Sequence, residues 1–181
     1  MDHQRKLIRD AVTKLLSEAG TAAERRVFAS RSAALIPKDL PAILVYAKNE
    51  RAEISNQAPR EYKRTLSLSI ECVSIAYREE ELDDKLDCFA YQVEKALFID
   101  ETFGGVASDA VLTDTEIEIL TDGEQPIGAV KIGVEITYYQ RIPSDESSDD
   151  LDDFLKMGTK VDLPEADGTF ENNDLVDVPQ T

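Results

Sequence analysis

The feature that most limits the fold of this chain is a segment with one apolar and one polar face, in residues 61–78. Its alternating apolar positions are Leu66, Leu68, Ile70 and Cys72, and the polar positions between them are Thr65, Ser67, Ser69 and Glu71. Because successive side chains of a β-strand point to opposite faces, this pattern predicts a strand with one buried and one open face. A strand this long is expected to extend past the core.

The apolar positions of the same segment change parity after Cys72, to Val73, Ile75 and Tyr77. A strict period of two does not allow such a change. The pattern therefore predicts a bulge, a twist or a second packing surface at this point.

Two amphipathic helices are predicted, one before and one after this strand. In residues 2–19 the apolar side chains recur at the spacing of one helical stripe, and Gly20 follows as a stop signal. The second helix begins at the acidic residues 79–84, which favour a helix N-terminus, and it ends before Gly104 and Gly105. Its apolar stripe consists of Leu82, Leu86, Phe89, Ala90, Val93, Ala96 and Leu97.

Four further segments are predicted as strands. Residues 27–29 and 41–47 are short and apolar, and residues 111–121 and 127–140 alternate around a hairpin-type connection at 122–126. The order α, β, β, β, α, β, β predicts an α+β fold. We expect a largely antiparallel sheet of four to five strands with two helices on one face, plus an extended acidic C-terminal arm.

The length of 181 residues fits one domain, which we assign to residues 1–142, followed by an acidic linker and arm at 143–181. The polar face of the sheet must then meet water, a lumen or another subunit. The residues predicted on that face are Thr65, Ser67, Ser69, Glu71, Lys131, Glu135 and Tyr139.

The formal net charge of −17 argues against a conventional DNA or RNA reader, since such a field repels phosphate. Residues 143–181 contain 2 lysines and 12 acidic residues, so much of the charge lies there. No apolar run approaches the roughly 18 residues that a membrane span needs, and the first residues lead into a helix and not a secretory core. We expect a soluble protein made in the cytosol, with no membrane partner.

No catalytic, cofactor-binding or metal-ligating residue is predicted. His3 is the only histidine, so triads that need an imidazole base are disfavoured, and no phosphate-binding glycine motif is present. Cys72 and Cys88 lack the companions that zinc requires, and we expect both to be reduced. The acidic runs at 79–84 and 149–153 do not follow the spacing of a calcium loop, although metal-assisted hydrolysis stays open as an alternative.

Basic residues stand out in this acidic background, and we predict them as assembly contacts together with apolar residues of the arm. The basic set is Arg25, Arg26, Arg31, Arg51, Arg60, Lys63 and Arg64, and the arm set is Phe154, Leu155, Leu163 and Phe170. A partly basic body and an acidic tail can attract neighbouring copies, and head-to-tail association can close into rings. The alternatives are ordinary surface salt bridges and a disordered, solubilising tail.

The chain resembles a family of structural proteins of long-tailed phages. Residues 26–31 and 40–46, then 112–117 and 123–128, are similar in order and spacing to the tail terminator proteins of the minor tail protein U type, over most of the body. The segment 153–155 leading to 161–164 is similar to the C-terminal region of some members, although the long acidic extension is not universal in the family.

The resemblance implies a virion protein at the head-proximal end of the tail, present in the host cytoplasm during assembly. It implies a mixed α/β fold, no catalytic centre and a homo-oligomeric ring, typically of six subunits. That ring caps the tail tube, stops its polymerisation and meets the head connector or neck protein. We expect DNA to cross the ring without specific binding, and residues 48–60 to form a loop that reaches the tube or the adjacent ring. Residues 151–178 are expected to clasp a neighbour.

Two other functions stay open. A head-to-tail joining or neck protein of the same virion would share the ring and the acidic surface. An acidic module that mimics nucleic acid and inhibits a DNA-binding protein would instead form a small oligomer with a host partner.

Overall fold

The structure, a computed structural model, describes residues 2–32, 35–78, 80–120, 125–141, 156–161 and 172–177. The chain divides into two compact units, Met1–Ile142 and Pro143–Thr181. Each unit is described by itself.

The first unit is an α+β fold with a mixed five-stranded sheet. Its elements are α1 (Gln4–Glu18), β1 (Val27–Ala29), a 3-10 turn (Pro37–Asp39), β2 (Ala42–Gln57), β3 (Arg60–Ile75), α2 (Glu80–Leu97), β4 (Asp109–Leu120) and β5 (Ile127–Arg141). The strand order is β1-β2-β3-β5-β4. Only β1 and β2 run parallel, and every other neighbouring pair is antiparallel. The predicted α+β class, the two helices and the largely antiparallel sheet are therefore confirmed.

One hydrophobic core joins both helices to one face of the sheet. Ile8, Val12 and Leu16 of α1 and the predicted stripe of α2 are buried together with alternate residues of β3 and β5. The buried positions of β3 are Leu66, Leu68, Ile70, Cys72 and Ser74. Because each of these pairs with an even-numbered residue of β5, the core face follows one parity across the sheet.

Of the three alternatives predicted after Cys72, the bulge is wrong. The β3–β5 ladder runs from Glu61 to Ile75 without a register shift, and Ser74 takes the next core position. Val73 and Ile75 are half-buried on the opposite face, which is the second packing surface among the alternatives.

The loop predicted at residues 48–60 is also wrong, because β2 continues as a strand to Gln57. Only Ala58 and Pro59 separate β2 from β3. Residues 48–57 are polar except for Ala52 and Ile54, so their alternation is too weak to predict a strand. Their strand form comes from pairing with residues 60–67 of β3. Register shifts in β2 lie at 47/49 and 54/56.

We call this extension of β2 and β3 (residues 48–57 and 60–65) the blade, because it continues the sheet beyond the helices. Nearly all of β2 after Tyr46 is exposed. The end of β5, residues 137–141, pairs with the blade and makes it three strands wide.

Two glycines have clear structural roles near the helices. Gly20 has a φ of +67°, the left-handed conformation that commonly ends a helix, immediately after the C-cap residue Ala19 of α1. A Cβ at Gly128 of β5 would lie 2.7 Å from Leu86 Cδ1 of α2. The absence of a side chain at position 128 therefore lets α2 pack closely on the sheet.

The second unit contains a two-stranded antiparallel sheet, β6 (Lys156–Val161) and β7 (Asn172–Asp177). The rest of the predicted acidic arm, including Phe154, Leu155, Leu163 and Phe170, lies outside the described residues. Neither helix that the structure describes is both long and apolar enough to span a membrane.

Candidate functional site

The sheet face opposite the helices is a broad polar surface, which we call the open face. The ladder places Thr65, Ser67 and Ser69 of β3 beside Thr137, Glu135 and Gly133 of β5 on this face, at the parity opposite to the core. Glu71 pairs with Lys131, and Lys63 pairs with Tyr139. All seven residues expected on the polar face therefore lie on one surface.

Alternating charges cross the open face in short ion pairs. Lys131 Nζ lies 2.7 Å from Glu118 Oε2 on β4, and Lys48 Nζ lies 3.6 Å from Glu71 Oε1. Hydrogen bonding to Glu118 and its charge raise the pKa of Lys131, so this amine stays protonated. The lysines on this part of the face are thus held by carboxylates of the same chain.

Carboxylates outnumber lysines on the open face beside the core. The lysines are Lys48 and Lys131, and the carboxylates are Glu71, Glu135, Asp109, Asp114, Glu116 and Glu118. The surface therefore carries net negative charge and presents few free cations to a phosphate backbone.

A bulge in β4 fits closely over β5 on the open face. The register shifts between Leu112 and Asp114, and Thr113 Oγ1 donates a 2.6 Å hydrogen bond to Asp114 Oδ1. A Cβ at Gly133 would collide with both of these side chains. Gly133 therefore leaves room for the two polar side chains to lie flat on the sheet.

The blade gathers four of the predicted basic contact residues, but on different faces. Arg51 and Lys63 lie on the open face, and Arg51 Nη2 lies 2.9 Å from Glu135 Oε1. Arg60 is exposed at the tip, where β3 begins. Arg64 points to the helix side. The blade is thus a basic projection of an otherwise acidic chain.

Arg64 belongs to a charged cluster at the base of the blade. Its Nη1 lies 2.7 Å from Glu50 Oε2, and the Glu50 side chain is only 9% exposed. Glu50 also accepts a hydrogen bond from Tyr138 and a longer contact from Arg5 of α1. Burial, with help from Glu50, raises the pKa of the Tyr138 phenol. Glu50 therefore joins α1, β3 and β5, and Arg64 is engaged within its own chain.

The other predicted basic residues lie around β1, away from the blade. Arg26 Nε donates to the Pro41 carbonyl at 2.8 Å. Arg31 lies 3.0 Å from Asp39 and stacks 4.6 Å above the Phe28 ring. Arg25 is exposed. The structure thus separates exposed candidates, Arg25 among them, from Arg26 and Arg31, which have local structural contacts.

A groove of 710 Å³ separates α1 from α2, with Leu15, Ala96, Ile99 and Phe103 among its lining residues. Its acidic residue Asp100 accepts hydrogen bonds from Thr102 and Gly104, which lower the pKa of this carboxyl. Those bonds order the turn after α2 and stabilise the ionised form of Asp100.

Within the described ranges, no three side chains of His, Cys, Asp or Glu are grouped as a metal site. Cys72 and Cys88 are both free thiols, the first buried and the second exposed. Burial raises the pKa of the Cys72 thiol to about 12, so it is protonated and unreactive at neutral pH.

No protein-family model and no curated protein matches this chain.

Sequence analysis did not predict the blade or the charged cluster around Glu50 at its base. It predicted β4 as a strand but not as an exposed edge of the sheet. The polar alternation of the sequence did predict the open face correctly. Residues 48–57 and 60–65 form strands by pairing with each other. Hydrophobic periodicity does not detect such pairing.

Proposed function

We propose that this protein is a phage tail terminator, a ring of identical subunits that caps the tail tube and stops its polymerisation. The observation that carries the proposal is the polar face of the sheet, which no described element of the first unit covers, together with the blade that extends beyond the core. A three-stranded projection that buries little apolar surface adds little to the stability of a monomer, so it is better explained by contacts with other subunits or proteins. The resemblance to the minor tail protein U type supports the same role.

In the proposed ring the open face lines the channel that DNA crosses. Its surplus of carboxylates beside the core repels phosphate, and Lys48 and Lys131 there are paired with Glu71 and Glu118. DNA then passes without binding to specific side chains.

The blade is the proposed contact with the tail tube, since Arg60 and Lys63 are exposed near its tip. The interface to the head connector or neck protein is assigned to the opposite end of the ring. The C-terminal residues 143–181 are proposed to clasp a neighbouring subunit or ring.

Electron microscopy of particles assembled without this protein tests the proposal. Loss of a terminator gives overlong tails. Tails of normal length that stay unattached to heads would instead identify a joining or neck protein. Normal particles, together with a host DNA-binding protein recovered on the purified chain, would point to a nucleic-acid mimic.

The role of the C-terminal residues is tested by deleting residues 144–181. Weaker oligomerisation or failed joining of heads to tails is the expected outcome. Unchanged oligomers and unchanged joining would remove the clasp from the proposal and leave the ring itself untouched.

A further inference from the structure

Strand β4 is one edge of the five-stranded sheet, and no described strand pairs with its outer side. After the bulge at Leu112/Asp114, its register with β5 is regular to Leu120. The side chains at 111–119 are all exposed. A regular, uncovered edge of this kind is a template for an additional strand, because its outer N–H and C=O groups are outside the ladder.

The two sides of β4 differ in polarity. Ile117 and Ile119 lie on the helix side, because they pair with core-face positions of β5, and they are 53% and 46% exposed. The open side carries Asp114, Glu116 and Glu118 at alternate positions. Lys131 of β5 forms an ion pair with Glu118, and the other two carboxylates have no ion pair with a described residue. The edge therefore has an apolar row on one side and a surplus of negative charge on the other.

Helix α2 runs alongside β4 over most of the length of the strand. Its C-terminal end meets the start of β4 in a groove of about 400 Å³, lined by Glu94, Phe98, Glu101 and residues 109–112. Its first turns lie over Gly128, which pairs with Ile119 near the other end of β4. The flank of α2 that faces the groove therefore borders the helix side of the whole edge.

That flank of α2 is acidic. Asp83 and Asp87 share a helical face with Glu94, since they precede it by about three and about two turns. Asp83, Asp87 and Glu101 are exposed. Among the residues that the structure describes, none forms an ion pair with these carboxylates or with Glu94. Negative charge thus borders β4 on both sides of the sheet.

Neither free strand edge of a second copy complements β4. Antiparallel pairing of two β4 strands sets their carboxylate rows against each other, which destabilises a ladder. The outer edge of the blade is no better, since Arg51 already pairs with Glu135 and Glu53 lies on the same side. The complement is a strand with Lys or Arg on its open side and apolar side chains on its helix side.

We infer that β4 is a docking edge for a different protein, which adds an extended segment in which Lys or Arg alternates with apolar residues. The basic side chains face the row of Asp114, Glu116 and Glu118, and the apolar side chains cover Ile117 and Ile119. Main-chain hydrogen bonds to β4 supply the pairing, and the alternate side chains supply the selectivity. This docking edge does not require a ring, so the inference goes beyond the proposed function and does not rest on it.

Two peptides of the same composition test the docking edge on the full-length protein. Lysine and valine alternate in the first, and they form separate blocks in the second. Fluorescence anisotropy is expected to show tighter binding of the alternating peptide, because only that order places all lysines on one side of a strand. Hydrogen exchange is expected to slow at residues 109–120 when this peptide is bound, because strand addition protects amides of β4.

Variants of the edge locate the binding site. Glu116→Lys reverses a charge in the carboxylate row, and Ile117→Lys removes an apolar contact, so each is expected to weaken binding of the alternating peptide by about tenfold. Glu53→Lys is the matched control, since it makes the same charge change as Glu116→Lys at an exposed position of β2. It is expected to change the affinity by less than about twofold, because salt screens a distant charge. Circular dichroism checks that each variant is folded.

Several results would overturn the inference. Equal affinity for the two peptides, unchanged exchange in β4 or an equal loss in Glu53→Lys would show that the edge does not select an alternating basic strand. An oligomer of the full-length protein that Ile117→Lys dissociates would identify a second copy as the occupant. Tighter binding of the peptide after deletion of residues 144–181 would assign the edge to the C-terminal residues of this chain.

Discussion

Tyr138 Oη donates a 2.5 Å hydrogen bond to Glu50 Oε1 across 88 positions of the chain, where the core gives way to the blade. Glu50 is the shared acceptor for Tyr138 and Arg64, so its charge holds three strands in one arrangement at this level. A carboxylate that is nearly buried must be paired in this way to be tolerated. The blade is therefore anchored by a polar cluster and not by further core.

Replacing Glu50 with glutamine is expected to lower the free energy of unfolding by about 1–3 kcal/mol, because a charged acceptor of partly buried donors is lost. Urea unfolding measures this. Glu53→Gln is the control on the same strand, where the side chain is exposed, and it is expected to change stability by less than about 0.5 kcal/mol. Equal effects at both positions would mean that the cluster does not anchor the blade.

Cys72 gives a pH dependence of known sign. Burial raises its pKa from 9.0 to about 12, so the thiol is protonated in the folded chain at a pH where the unfolded chain already carries a thiolate. This contribution to stability is complete below pH 9.0 and is lost as the pH rises towards 12.

The expected result is a free energy of unfolding that falls above pH 9.0 more steeply in the wild type than in Cys72→Val. Chemical unfolding between pH 9.0 and 10.0 shows the effect as the difference between the two proteins, since tyrosines, which titrate around 10.0 in the unfolded chain, contribute equally to both. Identical slopes in the two proteins would contradict the buried, protonated thiol.

Gly128→Ala and Gly133→Ala are the same substitution on one strand with different expected costs. At position 128 the new methyl group meets Leu86 Cδ1 at 2.7 Å and the Glu118 carbonyl at 3.2 Å, inside the packed layer. We expect a loss of about 1–3 kcal/mol, typical of overpacking. At position 133 the obstacles are the ends of the Thr113 and Asp114 side chains on the open face, which can rotate away.

Thermal or urea unfolding of the two glycine variants makes the comparison. A larger loss at position 133 than at position 128 would show that the bulge in β4 is more rigid than the α2 contact.

Positive charge added to the open face is expected to slow DNA passage if this face lines the channel. Ser67→Arg with Ser69→Arg places two guanidinium groups on β3 there, where they attract phosphate. Tail length should be unchanged, and the rate of DNA ejection from complete particles should fall. Ser67→Gln with Ser69→Gln is the neutral control. Normal ejection by the arginine variant would mean that a surface other than the open face lines the channel.

Charge reversal at the blade tests the tube contact. Arg60→Glu with Lys63→Glu changes exposed residues, so stability should stay within about 0.5 kcal/mol of the wild type. We expect overlong tails in particles that carry this variant, since the cap no longer holds the tube. Arg25→Glu, an exposed arginine near β1, should leave tail length normal. Electron microscopy of both variants provides the measurement.

A segment was predicted correctly from the sequence when one of its faces packs against the core. The helices and the alternating part of β3 were predicted because a segment with one buried face has apolar residues at a regular spacing. Residues 48–57 were not, since a strand exposed on both faces has no such period and exists only through its neighbour β3. The bulge at Leu112/Asp114 was invisible for a similar reason, because register is a property of a strand pair and not of one strand.

The candidate contact residues show the same limit. Charge alone grouped Arg64 with Lys63, yet adjacent positions of a strand point to opposite faces, and only Arg64 reaches Glu50. The parity of residues 60–65 could have separated the two, once that segment was known to be a strand.

Since main-chain ladders and a single buried carboxylate hold the blade, few of its side chains are constrained by folding. Mutations can accumulate along it with little penalty to the rest of the molecule. The surface chemistry of this projection can therefore change independently of the helices and of the sheet that they cover.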